Sequence, residues 1–209
     1  MNNLIFILHT ITISLVTIIA AKLGLQYLIS LLAIYGILAN LFVLKQITLF
    51  GLEVTTTDVF IVGISLGLNL MQEKWGKETA QNAIWLSFFS LLTYTILSQF
   101  QIWYLPNDLD STSIHFNALL AIAPRLTIVS LFSYLISQTI DVNLYAYFKR
   151  NYSSIAISQL ADTIIFSIFG LAGLGYNLLH IIIFSYAIKL AAITVSLLAT
   201  STIRKIIKI

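Results

Sequence analysis

The sequence contains no cysteine, and only 9% of its 209 residues are charged. The absence of cysteine excludes disulfides, iron–sulfur clusters and thiol catalysis. An ordinary soluble domain carries roughly 25% charged residues, whereas here 59% of the residues are hydrophobic and the mean hydropathy is +0.96. The composition therefore indicates an integral membrane protein, and the net charge of +3 requires no nucleic-acid partner.

The apolar runs are continuous and lack the alternation with polar residues that marks the strands of a membrane barrel. Seven of them are long enough to cross a hydrocarbon core of about 30 Å as helices. We therefore expect an all-α, polytopic transmembrane helical bundle of about seven helices, in one integral membrane domain over residues 1–209. The predicted segments lie near residues 4–21, 28–44, 57–73, 79–103, 118–147, 154–175 and 178–201.

Two of these segments allow a second interpretation. The first resembles a signal peptide, but no Lys or Arg precedes its apolar run, so we interpret it as a retained helix. The third contains Gly63, Gly67 and Asn69, which would permit a broken, re-entrant helix and leave six spans. The polar stretch from Pro106 to Asn117 is expected to be a loop.

Lysine and arginine are distributed unevenly between the connections. With seven spans and an outer N-terminus, eight of these residues lie on the cytoplasmic side and only Lys45 lies outside. Because cytoplasmic connections are enriched in positive charge, the count favours seven spans in a cell inner membrane with a cytoplasmic C-terminus. The eight residues are Lys22, Lys74, Lys77, Lys149, Arg150, Arg204, Lys205 and Lys208.

Catalytic and metal-binding motifs are absent or misplaced. Residues 63–67 spell GISLG, the G-x-S-x-G pattern of serine hydrolases, but this pattern lies inside an apolar segment without a strand before it. Small residues at this spacing favour close packing of helices instead. No H-E-x-x-H motif or Cys/His cluster indicates a metal site. The sequence therefore predicts no enzyme, no metal and no cofactor.

Charged residues inside the apolar segments are few and informative. A charge at the bilayer centre costs roughly 2.5 to 3.5 kcal/mol on insertion scales, so it normally faces the bundle interior and has a partner. A helical rise of about 1.5 Å per residue places Asp162 about 12 Å and Lys189 about 18 Å from the cytoplasmic side. These depths predict that the two can form an ion pair. The five charges singled out are Glu73, Arg125, Asp141, Asp162 and Lys189.

Polar residues three and four positions from these charges share a helix face with them. Four such stripes would surround a polar, planar small molecule; alternatively, they only hydrogen-bond the helices to one another. The stripes are Ser158, Gln159 and Asp162; Asn69, Gln72 and Glu73; Tyr134, Gln138 and Asp141; and Tyr186 with Lys189. The candidate substrate-binding residues are Asn69, Glu73, Arg125, Gln138, Asp141, Gln159, Asp162 and Lys189.

Four stretches of the chain carry the most specific spacings. They read LANLFVLKQITLFGL (38–52), LNLMQEKWGKETA (68–80), PRLTIVSLFSYLISQTIDVNLY (124–145) and RNYSSIAISQLADTIIF (150–166). Together these stretches resemble the queuosine precursor transporter family, also called the vitamin uptake transporter family. The family usually has Asp where this chain has Asn69, which leaves a neutral hydrogen-bonding group at that position.

The resemblance implies a membrane transporter that imports 7-deazaguanine bases for queuosine in transfer RNA. Such bases include 7-cyano-7-deazaguanine, its aminomethyl derivative and queuine. The carboxylate of Asp162 or Glu73 would accept hydrogen bonds from the ring N–H and exocyclic amine of the base. Gln159, Asn69 or Lys189 would donate to the carbonyl of the base.

The resemblance leaves several points open. Phe166, Tyr134 and Trp75 are candidates to stack on the base, and the sequence does not choose among the precursors. The alternative function is a substrate-binding membrane subunit of a multi-component uptake system. Proton-driven and passive uptake both fit the sequence, as do a monomer and a homo-oligomer.

Overall fold

In the computed structural model, the described residues form eight α-helices, a π-helical turn and a β-hairpin. The description covers the backbone of residues 1–148 and 151–207, and all side chains in these ranges except those of residues 138, 141–142, 145–148, 151–152 and 195–207. The elements are α1 (Asn2–Leu23), α2 (Leu25–Phe42), β1 (Gln46–Leu49), β2 (Leu52–Thr55), α3 (Asp58–Trp75), α4 (Lys77–Trp103), α5 (Ser113–Leu120), α6 (Ala123–Phe148), α7 (Asn151–Ile165), the π-helical turn (Phe166–Leu171) and α8 (Leu178–Ile207).

The predicted fold class, an all-α polytopic membrane bundle, is confirmed. Seven long helices match the seven predicted segments, and α5 is a short addition. Within the described residues, five segments are long and apolar enough to cross a membrane: Asn2–Leu23, Leu25–Phe42, Lys77–Trp103, Ser113–Ser137 and Ser153–Leu171. Large apolar side chains such as Leu15, Phe89 and Phe132 face outward, as lipid contact requires.

The β-hairpin over residues 46–55 was not predicted. Its strands are antiparallel with Gln46 opposite Thr55, and the turn places Phe50 and Gly51 at φ 50° and 84°. Positive φ at both central residues is typical of a type I′ turn. Leu49 and Val54 are fully buried, so alternation over two short strands gives the hairpin one apolar face, which packs on the helices.

The fifth predicted segment, 118–147, is interrupted. Helix α5 lies partly within the stretch that was expected to be a loop, and α6 begins only at Ala123. Pro124 is the second residue of α6, where its missing N–H costs no helical hydrogen bond. The chain therefore turns once, at Ala121 and Ile122, before it descends through the bundle.

Helix α3 lies at the centre of the bundle and packs against α1, α2, α4 and α8. A Cβ atom added at Gly63 would lie 2.5 Å from Ile13 Cγ2, and one added at Gly67 would lie 2.6 Å from Leu32 Cδ2. The packing interpretation of the GISLG stretch is therefore confirmed. Small residues let α3 approach its neighbours more closely than larger side chains would allow.

The two ends of the bundle are closed differently. At one end, α3 stops at Gly76, whose φ of 89° favours glycine, and the Lys74 Nζ atom donates to the Ala21 carbonyl at 3.0 Å. At the other end, the hairpin is tied to the rest of the chain, because the Glu53 N–H donates to His180 Nδ1 at 3.2 Å. The Phe50 N–H also donates to Asn3 Oδ1 at 3.1 Å. The hairpin therefore covers the end of the bundle that holds the chain's N-terminus.

Candidate functional site

A cavity of about 360 Å³ lies between α2, α3, α4, α6, α7 and α8. Its volume is within the range of small-molecule sites, roughly 300 to 1,000 Å³. Most of the wall is apolar, with a few polar groups contributed by different helices. A mostly apolar cavity with a few converging polar groups is the usual form of a binding site for a small organic molecule.

The strongest polar contact in the cavity joins α7 to α8. The Lys189 Nζ atom lies 2.6 Å from Asp162 Oδ2, and the two side chains are only 10% and 22% exposed. Both residues line the cavity. The predicted ion pair is therefore confirmed, and each charge lowers the cost of burying the other. Neither group is fully used, because a carboxylate has about four acceptor sites and an ammonium has three donors.

A second carboxylate lines the cavity from α3. Asp58 is the first residue of that helix and is 3% exposed. Its Oδ2 atom accepts a hydrogen bond of 3.0 Å from the Ser185 hydroxyl, and Ser185 precedes Lys189 on α8 by one helical turn. Helix α8 thus presents a hydroxyl to Asp58 and an ammonium to Asp162 along one face.

Aromatic and amide groups complete the same cavity. Gln159 lies one turn before Asp162 on α7, and Phe166 lies one turn after it. Tyr134 enters from α6 and packs against Phe88 of α4, with ring centroids 5.1 Å apart. A planar ligand in this cavity therefore has ring faces available for stacking and polar groups available at its edge.

The π-helical turn begins at Phe166 and ends at Leu171. A wider turn of this kind is rare and occurs often at functional sites. Because it ends the helix, the last carbonyl groups lack intrahelical donors. Arg125 supplies those donors: its Nε atom donates to the Phe169 carbonyl and its Nη2 atom to the Ala172 carbonyl, both at 2.8 Å. Arg125 thus holds the end of this helix and does not line the cavity.

The structure divides the sequence-predicted site residues into three groups. It brings Gln159, Asp162 and Lys189 together at the cavity. Asn69 and Glu73 follow the cavity-lining part of α3, where Asn69 is half-buried and Glu73 is exposed. Of the three aromatic candidates, Tyr134 and Phe166 line the cavity and Trp75 does not. Apart from Arg125, which holds the helix end, the remaining predicted residues are Gln138 and Asp141, and their side chains lie outside the described part of the chain.

Sequence reasoning missed Asp58, Ser185 and Asn40, which all line the cavity. Asp58 stands at the first turn of a predicted span, where a charge is ordinarily solvated. The four-residue spacing of Ser185 and Lys189 was a usable signal, because it places both on one face of α8. Asn40 gave no signal, since its importance depends on which helices surround it.

Comparison with known proteins gives two matches. The family described as "Putative vitamin uptake transporter" matches residues 56–203, which include α3 through most of α8. A curated protein of Bacillus subtilis (strain 168), named "Probable queuosine precursor transporter", is 34% identical over 172 residues, covering 76% of this chain and 75% of the relative. No solved structure matches the chain significantly.

Proposed function

Because this chain belongs to the vitamin uptake transporter family, we propose that it imports queuosine precursors, the 7-deazaguanine bases, across a cell membrane. The protein is a multi-pass membrane transporter and not an enzyme. The name of the Bacillus subtilis relative supports the choice of substrate. The observation that carries the proposal is the Lys189–Asp162 pair inside the cavity.

The edge of a deazaguanine matches this pair in chemistry. The six-membered ring presents a carbonyl acceptor beside a ring N–H and an exocyclic amine, which are donors. The pair presents an ammonium donor beside a carboxylate acceptor, and both have unused hydrogen-bonding capacity. We infer that Lys189 donates to the carbonyl while Asp162 accepts from the N–H and amine groups, with charge-assisted hydrogen bonds at both positions.

The remaining cavity groups have supporting roles in this proposal. Phe166 and Tyr134 stack on the faces of the base, and Gln159 lies one helical turn from Asp162 to supply a further amide contact. The base binds between helices from both halves of the chain. Helices α2, α3 and α4 from the first half and α6, α7 and α8 from the second half line the cavity. Alternating access would then require movement of these two groups of helices against each other.

The orientation is proposed from the charges. Three lysines lie where α1 connects to α2 and where α3 connects to α4: Lys22, Lys74 and Lys77. Positive charge marks the cytoplasmic side of a membrane protein. We therefore place that end of the bundle in the cytoplasm of a cell with the protein in its inner membrane. The N-terminus, the hairpin and the Asp58 end of the cavity then face outward, on the side from which a precursor enters.

Complementation tests the proposed function most directly. A cell unable to synthesise deazaguanines, and lacking its own transporter, receives this protein and each precursor in turn, and its transfer RNA is analysed for queuosine. We expect queuosine to appear at low precursor concentrations only when the protein is expressed. Equal queuosine with an empty vector at every concentration would contradict the proposal.

A second experiment separates transport from binding alone. The purified protein is placed in liposomes and given a labelled precursor, with protein-free liposomes as the control. Accumulation inside the liposomes is expected if the chain transports the base by itself. Binding without accumulation would instead favour a substrate-binding subunit that depends on other components.

A further inference from the structure

Two residues that line the outer end of the cavity, Asp58 and Asn40, have acceptor oxygen atoms with unused hydrogen-bonding capacity. Asp58 is 3% exposed, and its Oδ2 atom accepts one bond, from Ser185. The Asn40 Nδ2 atom donates to the Gly36 carbonyl at 3.1 Å, which directs Oδ1 away from that contact. The Asn40 Oδ1 atom is buried and has no hydrogen-bond partner among the described residues. A buried acceptor without a donor is costly, so both residues are suited to a ligand that brings donors.

The charges of the cavity point to the same kind of ligand. Asp58, Asp162 and Lys189 are the charged residues among the described side chains that line it. Lys189 forms its ion pair with Asp162 at 2.6 Å, and the described residues include no ion pair for Asp58. With both carboxylates ionised, two carboxylates and one ammonium leave a net charge of −1. Lys189 attracts Asp58 as well, but its salt bridge is to Asp162. Buried charges in membrane proteins require partners, and here a cationic ligand would provide one.

We propose that Asp58 and Asn40 form a subsite for an ammonium group on the substrate, so that the transporter selects precursors with a cationic side chain. This inference rests on the proposed function. The aminomethyl derivative of 7-deazaguanine fits the subsite, because its protonated amine has three donors and no acceptor. The nitrile of 7-cyano-7-deazaguanine is neutral and brings no donor to these two oxygen atoms.

The spacing of the two polar regions agrees with the shape of the substrate. Ser185 contacts Asp58 and Lys189 contacts Asp162, and four residues of helix correspond to about 6 Å. In a deazaguanine, the 7-substituent is attached to the five-membered ring, and the lactam and amine edge belongs to the six-membered ring. A base held by Asp162 and Lys189 can therefore direct its substituent toward Asp58.

The test compares uptake of the aminomethyl and cyano bases by the same membrane vesicles. The ratio of the two rates does not depend on the amount of folded transporter. We expect the wild-type protein to favour the aminomethyl base, and Asp58→Asn to lower the ratio about tenfold or more, as loss of a charge-assisted contact implies. The matched control is Asp108→Asn, the same change in an exposed loop, for which the ratio should not change.

A competition assay on the wild-type protein tests the same inference without any variant. The 7-ethyl base has nearly the shape of the aminomethyl base but no charge, and we expect it to compete at least about tenfold more weakly. Equal competition would overturn the subsite. An unchanged uptake ratio in Asp58→Asn would also overturn the subsite. If both substrates were lost equally, the subsite would be overturned too, and Asp58 would be assigned to the transport cycle in general. Failure of the wild-type protein to take up either base would instead contradict the proposed function.

Discussion

Asp162 and Asp58 line one cavity and both contact α8, one helical turn apart, yet their partners differ. Asp162 has the ammonium of Lys189 at 2.6 Å, whereas the hydrogen-bond partner of Asp58 among the described side chains is the hydroxyl of Ser185 at 3.0 Å. Asp58 is also the more deeply buried of the two. Among the described residues, the carboxylate with less access to solvent is therefore the one without a salt bridge.

This difference separates two tasks that a substrate site must perform. A carboxylate paired with a lysine presents a neutral pair of donor and acceptor, which suits the uncharged edge of a base. A buried carboxylate without a salt bridge needs a positively charged partner, and a cationic substituent on the substrate can be that partner. If the proposed function holds, the two aspartates would divide recognition into a part common to all deazaguanines and a part that depends on the substituent.

The largest effect is expected for Asp162→Asn, which removes the common part of recognition. The change is nearly isosteric, but it replaces one carboxylate oxygen by a donor and leaves Lys189 without a counter-ion. Truncating one partner of a buried, hydrogen-bonded charge pair in a binding site costs about 2 to 5 kcal/mol of binding free energy, so uptake of every labelled precursor should fall about 30-fold or more. Membrane insertion, measured with a fluorescent fusion, should be retained because α7 loses a charged residue, which makes its insertion into the bilayer less costly.

Asp108→Asn is the control for this variant, because it makes the same change in an exposed loop, and its uptake should equal that of the wild type. Wild-type uptake by Asp162→Asn would contradict the assignment of Asp162 to the substrate site.

The second prediction concerns the stability of the ion pair. Lys189→Met leaves Asp162 buried without a cation, and Asp162→Asn leaves Lys189 buried without an anion. The double variant leaves neither, so we expect it to be more stable than the sum of the two single losses predicts, by about 0.5 to 3 kcal/mol. Thermal unfolding of the purified proteins in detergent measures this coupling. Strictly additive losses would mean that the pair does not stabilise the bundle as a unit.

A smaller effect is expected from the packing that holds Asp58 in place. Gly67→Ala adds a Cβ atom 2.6 Å from Leu32 Cδ2, and overpacking of this kind costs about 1 to 3 kcal/mol. The control is Gly36→Ala, whose added Cβ has no atom within 4 Å. We expect a lower unfolding temperature for the first variant and little change for the second. Equal unfolding temperatures would show that α3 adjusts its position without cost.

The smallest effect concerns Asp110, a carboxylate in water that contrasts with the two in the cavity. Hydrogen bonds from the Ser113 hydroxyl, and then from the Thr112 N–H and hydroxyl, lower its pKa to about 2. Because the folded pKa lies below the ordinary value of 3.8 for an aspartate, its contribution to loop stability is complete above that ordinary value. The contribution is lost as the pH falls through about 2.

A carboxyl ¹³C NMR titration of labelled aspartate, with Asp110→Asn to assign the signal, measures this pKa. Ser113→Ala should raise it, because the Ser113 hydroxyl makes the largest contribution. An unchanged pKa in that variant would contradict the assigned cause.

Much of the fold was predictable because it depends on local composition. Continuous apolar runs of sufficient length predict membrane helices wherever they occur, since the backbone must satisfy its own hydrogen bonds in lipid. The hairpin was not predictable in the same way, because its strands of four residues each are too short for a clear alternation. Its apolar face is buried by contact with helices that are distant in the sequence.

The site was predictable only in part. Asp162 and Lys189 stood out because a charge in an apolar run has few explanations, and their depths along the helices agreed. Arg125 stood out for the same reason, but its partners are carbonyl groups at the end of the helix that contains the π-helical turn, which no local pattern indicated. Asp58 was overlooked because a charge at the start of a span appears unremarkable in sequence.

The sequence by itself determined that this protein is a membrane-embedded helical bundle with a small set of buried charges, and its resemblance to a transporter family followed from local spacings. Only the tertiary structure decided which of those charges meet. Helix periodicity fixes the face on which a residue lies, but it does not fix how one helix is rotated against another. Lys189 therefore pairs with Asp162, and not with Asp58, because of the way α3, α7 and α8 pack around a shared cavity.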